Sequence, residues 1–162
     1  MRKSNSSKDA FLLSIPDISL EQDENNLAER CKFNFSYFDV QSNISQDFKD
    51  WNQNELVKLL NKLKEYSKFS LKHWKNKKTG KFSLLTVYGN FPTNTDFKPP
   101  KHVPLEVEWA RFHMENKTRL IGFVIPDSYD NKIHHKTKIL YDLNTFYIVY
   151  LDKEHKFYKI TI

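Results

Sequence analysis

Residues 109–125 read WARFHMENKTRLIGFVI, and this stretch decides the fold. Two runs rich in aromatic and aliphatic residues flank the short polar sequence ENK at 115–117, a spacing that predicts a β-hairpin with strands over 107–114 and 118–125. Successive side chains of a strand point to opposite faces, so one set is expected to face the core and the other to form a polar, basic face. The core set is Ala110, Phe112 and Met114, and the basic set is Trp109, Arg111 and His113.

Further strands are predicted on both sides of the hairpin. In residues 31–38 the aromatic side chains Phe33, Phe35 and Tyr37 alternate with polar ones, which is the period of a half-buried strand. Three more apolar or aromatic runs are expected to form strands, and they cover 83–88, 145–151 and 156–162.

One helical segment is predicted between the first strand and the rest. Asn52 lies three residues before Glu55, a capping-box spacing that favours a helix start. An apolar stripe at helical spacing follows, formed by Leu56, Leu59, Leu60 and Leu63. The segment is expected to end near Gly80, as one helix or as a broken pair.

The order of these elements predicts the α+β class, with an antiparallel β-sheet of four to six strands packed against one or two N-terminal helices. Residues 1–30 lack periodicity and are predicted to be a loosely ordered N-terminal arm, while 31–162 form a single α+β domain. Two long connections interrupt the strands: 89–104, which contains four prolines, and the polar segment 126–142.

The composition predicts a soluble cytoplasmic protein. The chain has 162 residues, 39% of them hydrophobic, enough for one domain with its own core. Cys31 is the only cysteine, so an intramolecular disulfide is impossible and a reducing cytoplasm is expected. The longest apolar runs fall far short of the roughly 20 residues that span a bilayer, and the early run FLLSI is shorter than a signal-peptide core of about 7–15 residues.

The charge distribution indicates an anionic partner. The net charge is +6, and residues 55–81 carry nine lysines against two glutamates. Such a local cationic field attracts phosphate groups, which makes nucleic acid the first partner class to consider. A lysine-rich helix face that is merely solvated explains the same pattern, so charge alone does not decide between the two.

Several kinds of chemistry are not expected. Only three glycines occur in the chain, too few and too scattered for a phosphate-binding loop or a dinucleotide motif, so no cofactor is predicted. His134 and His135 are adjacent, and on an extended chain adjacent side chains point to opposite faces, so no metal site is expected.

One set of residues fits metal-free RNA cleavage. That reaction needs a base for the 2′-OH proton, an acid for the leaving oxygen and fixed cations for the phosphate. The hairpin and the C-terminal tail offer these groups in Arg111, His113, Lys117, Arg119, His155, Lys156 and Tyr158. Solvent-facing strand positions are often charged without any catalytic purpose, so this alternative stays open.

Two motifs resemble those of known toxins. A W-x-R-x strand at 109–112 leads to the strand RLIGFVI at 119–125, and the last aromatic strand ends in a D-x-x-H-x-x-Y tail formed by Asp152, His155 and Tyr158. This succession resembles the C-terminal half of the RelE/ParE superfamily of bacterial type II toxin–antitoxin systems, particularly its HigB-like members. The element order from residue 31 onward is similar to that fold as well.

The resemblance implies a bacterial toxin that acts as a metal-independent endoribonuclease on mRNA, often on the ribosome, and is neutralised by a cognate antitoxin. It implies catalytic roles for Arg111, Arg119, His155 and Tyr158, with the arginines binding phosphate and His155 acting as acid or base. Further RNA-binding residues would be Lys117, Lys156, His113 and Lys153.

Two alternatives remain open at this point. One is a non-catalytic basic binding module, encoded by a phage or plasmid, that uses the lysine-rich helix and the basic sheet face. The other is a ParE-like gyrase inhibitor. The chain departs from the toxin pattern in its extra N-terminal residues and in the connections 89–104 and 126–142, which put the geometry of an active site in question.

Overall fold

The computed structural model describes residues 6–15, 19–22 and 26–159. It contains three α-helices and seven β-strands within these residues, separated by three short 3-10 turns. The helices are α1 (Ser6–Ser14), α2 (Gln53–Tyr66) and α3 (Leu71–Asn76). The strands are β1 (Lys32–Asn34), β2 (Lys78–Thr79), β3 (Phe82–Ser83), β4 (Leu85–Gly89), β5 (Glu108–His113), β6 (Arg119–Val124) and β7 (Thr145–Asp152).

Five of the strands form one sheet in the order β1-β7-β6-β5-β4, which confirms the predicted α+β class. The β5–β6 hairpin forms as predicted, with His113 opposite Arg119 and Glu108 opposite Val124. The expectation of a purely antiparallel sheet is wrong at one edge, where β1 pairs with β7 in parallel. A parallel pair requires a long crossover between its strands, and here α2, α3 and the other strands of the sheet form that connection.

Three predicted strand boundaries are corrected. The first strand ends at Asn34 because the Asn34 side chain accepts the backbone N–H of Ser36 at 2.8 Å and turns the chain. The strand predicted at 83–88 is split, since Phe82–Ser83 pairs with Lys78–Thr79 in a separate two-stranded ribbon. Residues 156–159 form no strand, and residues 160–162 lie outside the described part of the chain.

The helical segment begins as the sequence predicts. The Asn52 side chain accepts the N–H of Glu55, and the Glu55 carboxylate accepts the N–H of Asn52, which completes the capping box. The segment is a broken pair, because the Ser70 hydroxyl caps α3 by accepting the N–H of His73. Among the residues buried against the sheet are Leu59, Leu63, Tyr66, Leu71 and Trp74.

Both faces of the sheet are covered. The face under α2 and α3, here called the helical face, buries Phe112, Leu120 and Phe146 among its core residues. The opposite face, here called the aromatic face, buries Trp109, Phe123 and Tyr150 under Phe97, Val103 and Phe157. The alternation within β5 is therefore as predicted, but the expected polar face is wrong at Trp109, which is 6% exposed. The proline-containing connection folds over this part of the sheet and makes it a second core.

The two described elements of the N-terminal region contribute no buried residue to either core. The structure places Ser6–Ser14 in α1 and Leu27–Glu29 in a 3-10 turn, and neither element has a buried residue. Nothing in the structure tests whether residue 30 is a domain boundary, so that division stays a prediction. Within the described residues, no helix has the length and apolar character needed to cross a lipid bilayer.

Candidate functional site

The predicted basic residues of the sheet gather at one end of the aromatic face. His113, Arg119 and Asp152 are cross-strand neighbours on β5, β6 and β7, since His113 pairs with Arg119 and Arg119 pairs with Asp152. Arg111 lies two residues before His113 on the same face of β5. His155 joins them from the tail that follows β7. We call Arg111, His113, Arg119 and His155 the arginine–histidine cluster.

A direct hydrogen bond joins the sheet to the tail. Arg111 Nη1 lies 2.9 Å from His155 Nε2. Because an arginine guanidinium can only donate, Nε2 accepts and the proton of the neutral imidazole sits on Nδ1. Burial, followed by the charges of Arg119 and Arg111, lowers the pKa of His155 below the ordinary histidine value. His155 is therefore neutral near pH 7 and offers a lone pair, which suits a base better than an acid.

Asp152 fixes the position of His155. Its side chain is fully buried and accepts three backbone N–H groups of the tail, from Glu154 at 3.2 Å, Lys156 at 3.1 Å and Phe157 at 2.9 Å. These bonds hold the turn in which His155 has the left-handed φ of 61°, a conformation that non-glycine residues seldom adopt. The D-x-x-H spacing therefore has a structural reason, because the Asp152 carboxylate closes the turn that positions the His155 imidazole.

Arg119 is held rigidly at the bottom of the cluster. Its Nη1 donates to the carbonyl oxygens of Asn116 and Thr118, both at 2.8 Å. Burial and the nearby charge of Arg111 lower the pKa of Arg119 to about 10. Two partly buried guanidinium groups close enough for Arg111 to lower the pKa of Arg119 make a site of concentrated positive charge, which an anion would stabilise.

Three buried donors in this region lack a hydrogen-bond partner within the described residues. They are Arg111 Nε, Arg119 Nε and Tyr88 Oη. The Arg111 guanidinium lies 6.0 Å from the centre of the Tyr88 ring, and burial raises the pKa of Tyr88 to about 12, so its hydroxyl keeps its proton. Buried donors are almost always satisfied in folded proteins. Two of these donors belong to the arginines themselves and the third to the neighbouring Tyr88. Together they are suited to bind an oxygen-bearing anion.

An aromatic platform lies beside the arginines. Tyr158 from the tail stacks on Tyr88 from β4, with ring centres 5.0 Å apart and an angle of 11° between the planes. Tyr158 is 41% exposed, so one side of this pair is open to solvent. Stacked aromatic rings next to cations are a common way to bind single-stranded nucleic acid. Sequence reasoning missed Tyr88, because it lies at the irregularity of β4 between Val87 and Gly89 and reaches this site only through the pairing of β4 with β5.

His113 belongs to the cluster but is less available. Burial, and then the charge of Arg119, lowers the pKa of His113. Its Nδ1 lies 3.1 Å from the carbonyl oxygen of Met114, and its own carbonyl accepts the hydroxyl of Tyr66. His113 is therefore a neutral, half-buried imidazole at the edge of the cluster. Its role as an RNA contact stays a prediction.

The structure leaves the predicted lysines outside the cluster. Lys153 Nζ bonds the Glu55 carboxylate at 2.8 Å and lies 4.9 Å from the centre of the Trp51 ring, which turns it toward the start of α2. Lys156 forms an ion pair with Glu154. Lys117 is exposed in the hairpin turn. Of these three, only Lys117 has no ion-pair partner among the described residues.

The structure supplies no metal-binding arrangement in the described residues, where no three His, Cys, Asp or Glu side chains are grouped closely enough to hold an ion. His134 and His135 lie in a turn and not on an extended strand, with ring centres 4.9 Å apart. Cys31 is buried and donates to the carbonyl of Tyr66, and burial raises the pKa of its thiol to about 11, which makes the thiolate inaccessible at neutral pH.

Comparisons of the chain with protein-family models, with curated proteins and with solved structures give no match. The resemblance to RelE/ParE toxins therefore stays a prediction that rests on the motifs at 109–125 and 152–158.

Proposed function

We propose that the protein is a metal-independent endoribonuclease toxin whose active site is the arginine–histidine cluster. The observation that carries the proposal is the meeting of Arg111, Arg119 and His155 at one end of the sheet, where both arginine Nε groups lack a hydrogen-bond partner among the described residues. Residues far apart in the sequence supply a phosphate-binding pair and a neutral imidazole. The motif resemblance points to the same residues independently.

Substrate binding would begin at Arg111. In the free protein the Arg111 guanidinium donates a hydrogen bond to the lone pair of His155 Nε2. Both arginine Nε groups are buried. A phosphate is a stronger acceptor than an imidazole, because its oxygens carry charge. When Arg111 turns toward the phosphate, Nε2 is released and becomes available as a base.

The proposed reaction is transesterification within the RNA. His155 Nε2 takes the proton of the 2′-OH, and the 2′ oxygen then forms a bond to phosphorus. The bond from phosphorus to the 5′ oxygen breaks, and that oxygen receives a proton from the Tyr158 hydroxyl or from water. The products are a 2′,3′-cyclic phosphate and a 5′-hydroxyl end. Arg111 and Arg119 would stabilise the added negative charge on the phosphate.

The proposed partners follow from the same reasoning. RNA, alone or on the ribosome, would meet a protein with a net charge of +6 whose Tyr88–Tyr158 pair lies open for a base. A cognate antitoxin would neutralise the toxin in the bacterial cytoplasm. No membrane partner and no small-molecule cofactor enter the proposal.

The alternative binding module has less support. It would use Lys58, Lys62 and Lys68 on and after α2, yet Lys58 lies 3.7 Å from Glu115 and Lys62 lies 3.0 Å from Glu65. Exposed ion pairs of this kind reduce the net field of the helix. A ParE-like gyrase inhibitor remains the second outcome of the test below.

The test is cleavage of a defined RNA by the purified protein in the presence of a chelator. We expect wild-type protein and His135→Ala, a change at an exposed histidine, to cut the RNA and leave 2′,3′-cyclic phosphate ends. His155→Ala and Arg111→Ala should lose cleavage, and a 2′-deoxy nucleotide at the cut position should block it. Growth arrest with intact RNA, or cleavage that survives His155→Ala, would overturn the nuclease.

A further inference from the structure

A pocket lined by aromatic rings lies on the aromatic face of the sheet, at the end of β6 away from Arg119. Phe123 of β6 and its strand partner Tyr147 of β7 line it from the sheet, with their rings stacked at 4.8 Å. Three more tyrosines line it from the connections, and they are Tyr37, Tyr129 and Tyr141. We call this the tyrosine pocket. Its volume of about 240 Å³ is below the roughly 300–1,000 Å³ of a pocket for a drug-sized ligand, so it suits a compact chemical group.

The rings of the tyrosine pocket meet at nearly right angles. The plane of Tyr37 makes an angle of 82° with Phe123 and of 88° with Tyr147, at centre distances of 5.0 and 5.8 Å. Tyr129 and Tyr141 meet at 78° with their centres 5.0 Å apart. The face of an aromatic ring carries partial negative charge. Several such rings around one space form the kind of cage that recognises quaternary ammonium groups.

The electrostatic environment of the tyrosine pocket is negative. Glu106 is the only charged side chain in its described lining. It is exposed and forms no ion pair with another described residue. Burial, followed by the negative charge of Asp142, raises the pKa of Tyr147, although Asp142 is itself paired with Lys32 at 2.7 Å. A cation in this pocket would therefore meet a carboxylate and ring faces of matching charge.

The lining favours a methylated ammonium over other organic cations. A lysine ammonium has three N–H donors and an arginine guanidinium has five, and each donor needs an acceptor once water is removed. Glu106 is the single charged acceptor that the described lining offers. Lys132 shows the same preference, because its ammonium lies 4.7 Å from the centre of the Tyr129 ring but outside the lining of the pocket. A quaternary ammonium has no N–H group to satisfy and can be enclosed.

We propose that the tyrosine pocket binds the quaternary ammonium group of a small free amine of the choline type, with the rings around the cation and Glu106 balancing its charge. Arg119 and Phe123 are four residues apart on β6, which is about 13 Å along a strand. The positive charge of the arginine–histidine cluster is thus separated from the bound group. No residue of that cluster lines the pocket, so the proposal does not depend on the nuclease function.

The first experiment titrates choline chloride into the isotope-labelled full chain and follows its amide signals by NMR, with sodium chloride at equal concentrations as the reference. The matched ligand is the neutral isostere of choline, in which a tert-butyl group replaces the trimethylammonium. We expect this isostere to bind about 10-fold more weakly, because it lacks the attraction between cation and rings. Equal affinities would make this an ordinary apolar pocket and would overturn the proposal, as would a failure of choline to bind.

A third probe separates a free amine from a lipid head group. Phosphocholine carries the same trimethylammonium together with a phosphate, which the exposed Glu106 would repel. We expect phosphocholine to bind more weakly than choline. Tighter binding of phosphocholine would overturn the assignment to a free amine.

The second experiment repeats the choline titration on variants of the pocket. Tyr147→Leu should raise the Kd about 5-fold or more, whereas Tyr147→Phe keeps the ring and should bind as the wild type does. Tyr147 is half-buried, so thermal unfolding checks that each variant folds, and Tyr141→Leu removes a second ring from the connection before β7. Wild-type affinity in both leucine variants would overturn the proposal.

The carboxylate has a matched control two residues away. Glu106→Gln should raise the Kd for choline about 2- to 5-fold, the usual range for an exposed charge pair. Glu108→Gln removes the same charge from a residue that lines the cleft on the helical face, and it should leave the Kd unchanged. An equal effect of the two substitutions would mean that only the net charge matters and would overturn the role of Glu106.

Nuclear Overhauser effects locate the bound ligand. We expect them between the N-methyl protons of choline and the ring protons of Tyr37 and Tyr147. Tyr88 and Tyr158, the stacked pair beside the arginines, form the other aromatic surface to which a ligand could bind. Effects confined to that pair would overturn the tyrosine pocket as the binding site.

Discussion

The substitution Asp152→Asn tests how the tail is held. One carboxylate oxygen accepts the N–H groups of Glu154 and Lys156, and the other accepts the buried N–H of Phe157. Asparagine has a single acceptor oxygen, so at best it keeps the first two bonds and turns its own NH₂ toward the N–H of Phe157. The change removes one hydrogen bond to a charged group and leaves a buried donor unsatisfied.

The magnitude follows from these bonds. A hydrogen bond to a charged group contributes about 1.5–3 kcal/mol, and a buried donor left unpaired costs about 1–3 kcal/mol. Because both figures describe partly the same lost bond, we expect the free energy of unfolding to fall by about 2–4 kcal/mol. The nearby carboxylate also raises the pKa of His155 against the effect of the arginines. Its removal should therefore lower that pKa further.

The assays are urea unfolding for the free energy, amide hydrogen exchange for Phe157, and NMR titration for the His155 imidazole. Asp130→Asn is the matched control, because Asp130 is exposed and forms no ion pair with a described residue. We expect it to change the unfolding free energy by less than about 0.5 kcal/mol. If Asp152→Asn behaves like this control and the Phe157 amide stays protected, the carboxylate does not hold the tail.

Two further outcomes are expected. Gly122→Ala would place a Cβ 2.0 Å from the Tyr147 carbonyl oxygen and 2.7 Å from the Phe146 ring. We expect thermal unfolding to show a loss of about 3 kcal/mol of stability. An unchanged midpoint would contradict the close packing of β6 on β7. The pKa of His155 is lower in the folded protein than in the unfolded chain. As the pH falls through the histidine range, the unfolded chain therefore binds more protons at this residue than the folded protein does. The free energy of unfolding should decrease from about pH 6.5 downward. Urea midpoints at several pH values should show a smaller decrease in His155→Gln than in wild type, and equal decreases would refute the burial of this imidazole.

Local patterns in the sequence were sufficient for the elements that depend on neighbours in the chain. The capping box at Asn52 and the short turn at 115–117 involve residues only a few positions apart, and both form as predicted. The D-x-x-H spacing also records a local turn, closed by Asp152. Each of these features is decided by hydrogen bonds within a few residues.

Contacts between distant segments account for the errors. The sequence does not show that the connection 89–104 covers Trp109, so the aromatic face was expected to be polar. Lys153 follows β7 directly and lies two residues before His155, yet an ion pair with Glu55 draws it to the other side. Tyr88 reaches the arginines only through the pairing of β4 with β5. Periodicity identifies the two sides of a strand but not what packs on each side.

The parallel pairing of β1 with β7 has a consequence for the order in which the chain acquires its structure. Lys32 has Thr145 as its strand partner, and β7 lies between β1 and β6 in the sheet. The first strand to leave the ribosome therefore has no neighbour until residues 145–152 have been synthesised. Pairings between such distant segments form slowly. Nascent chains halted before residue 145 should remain sensitive to protease throughout, however long they are held.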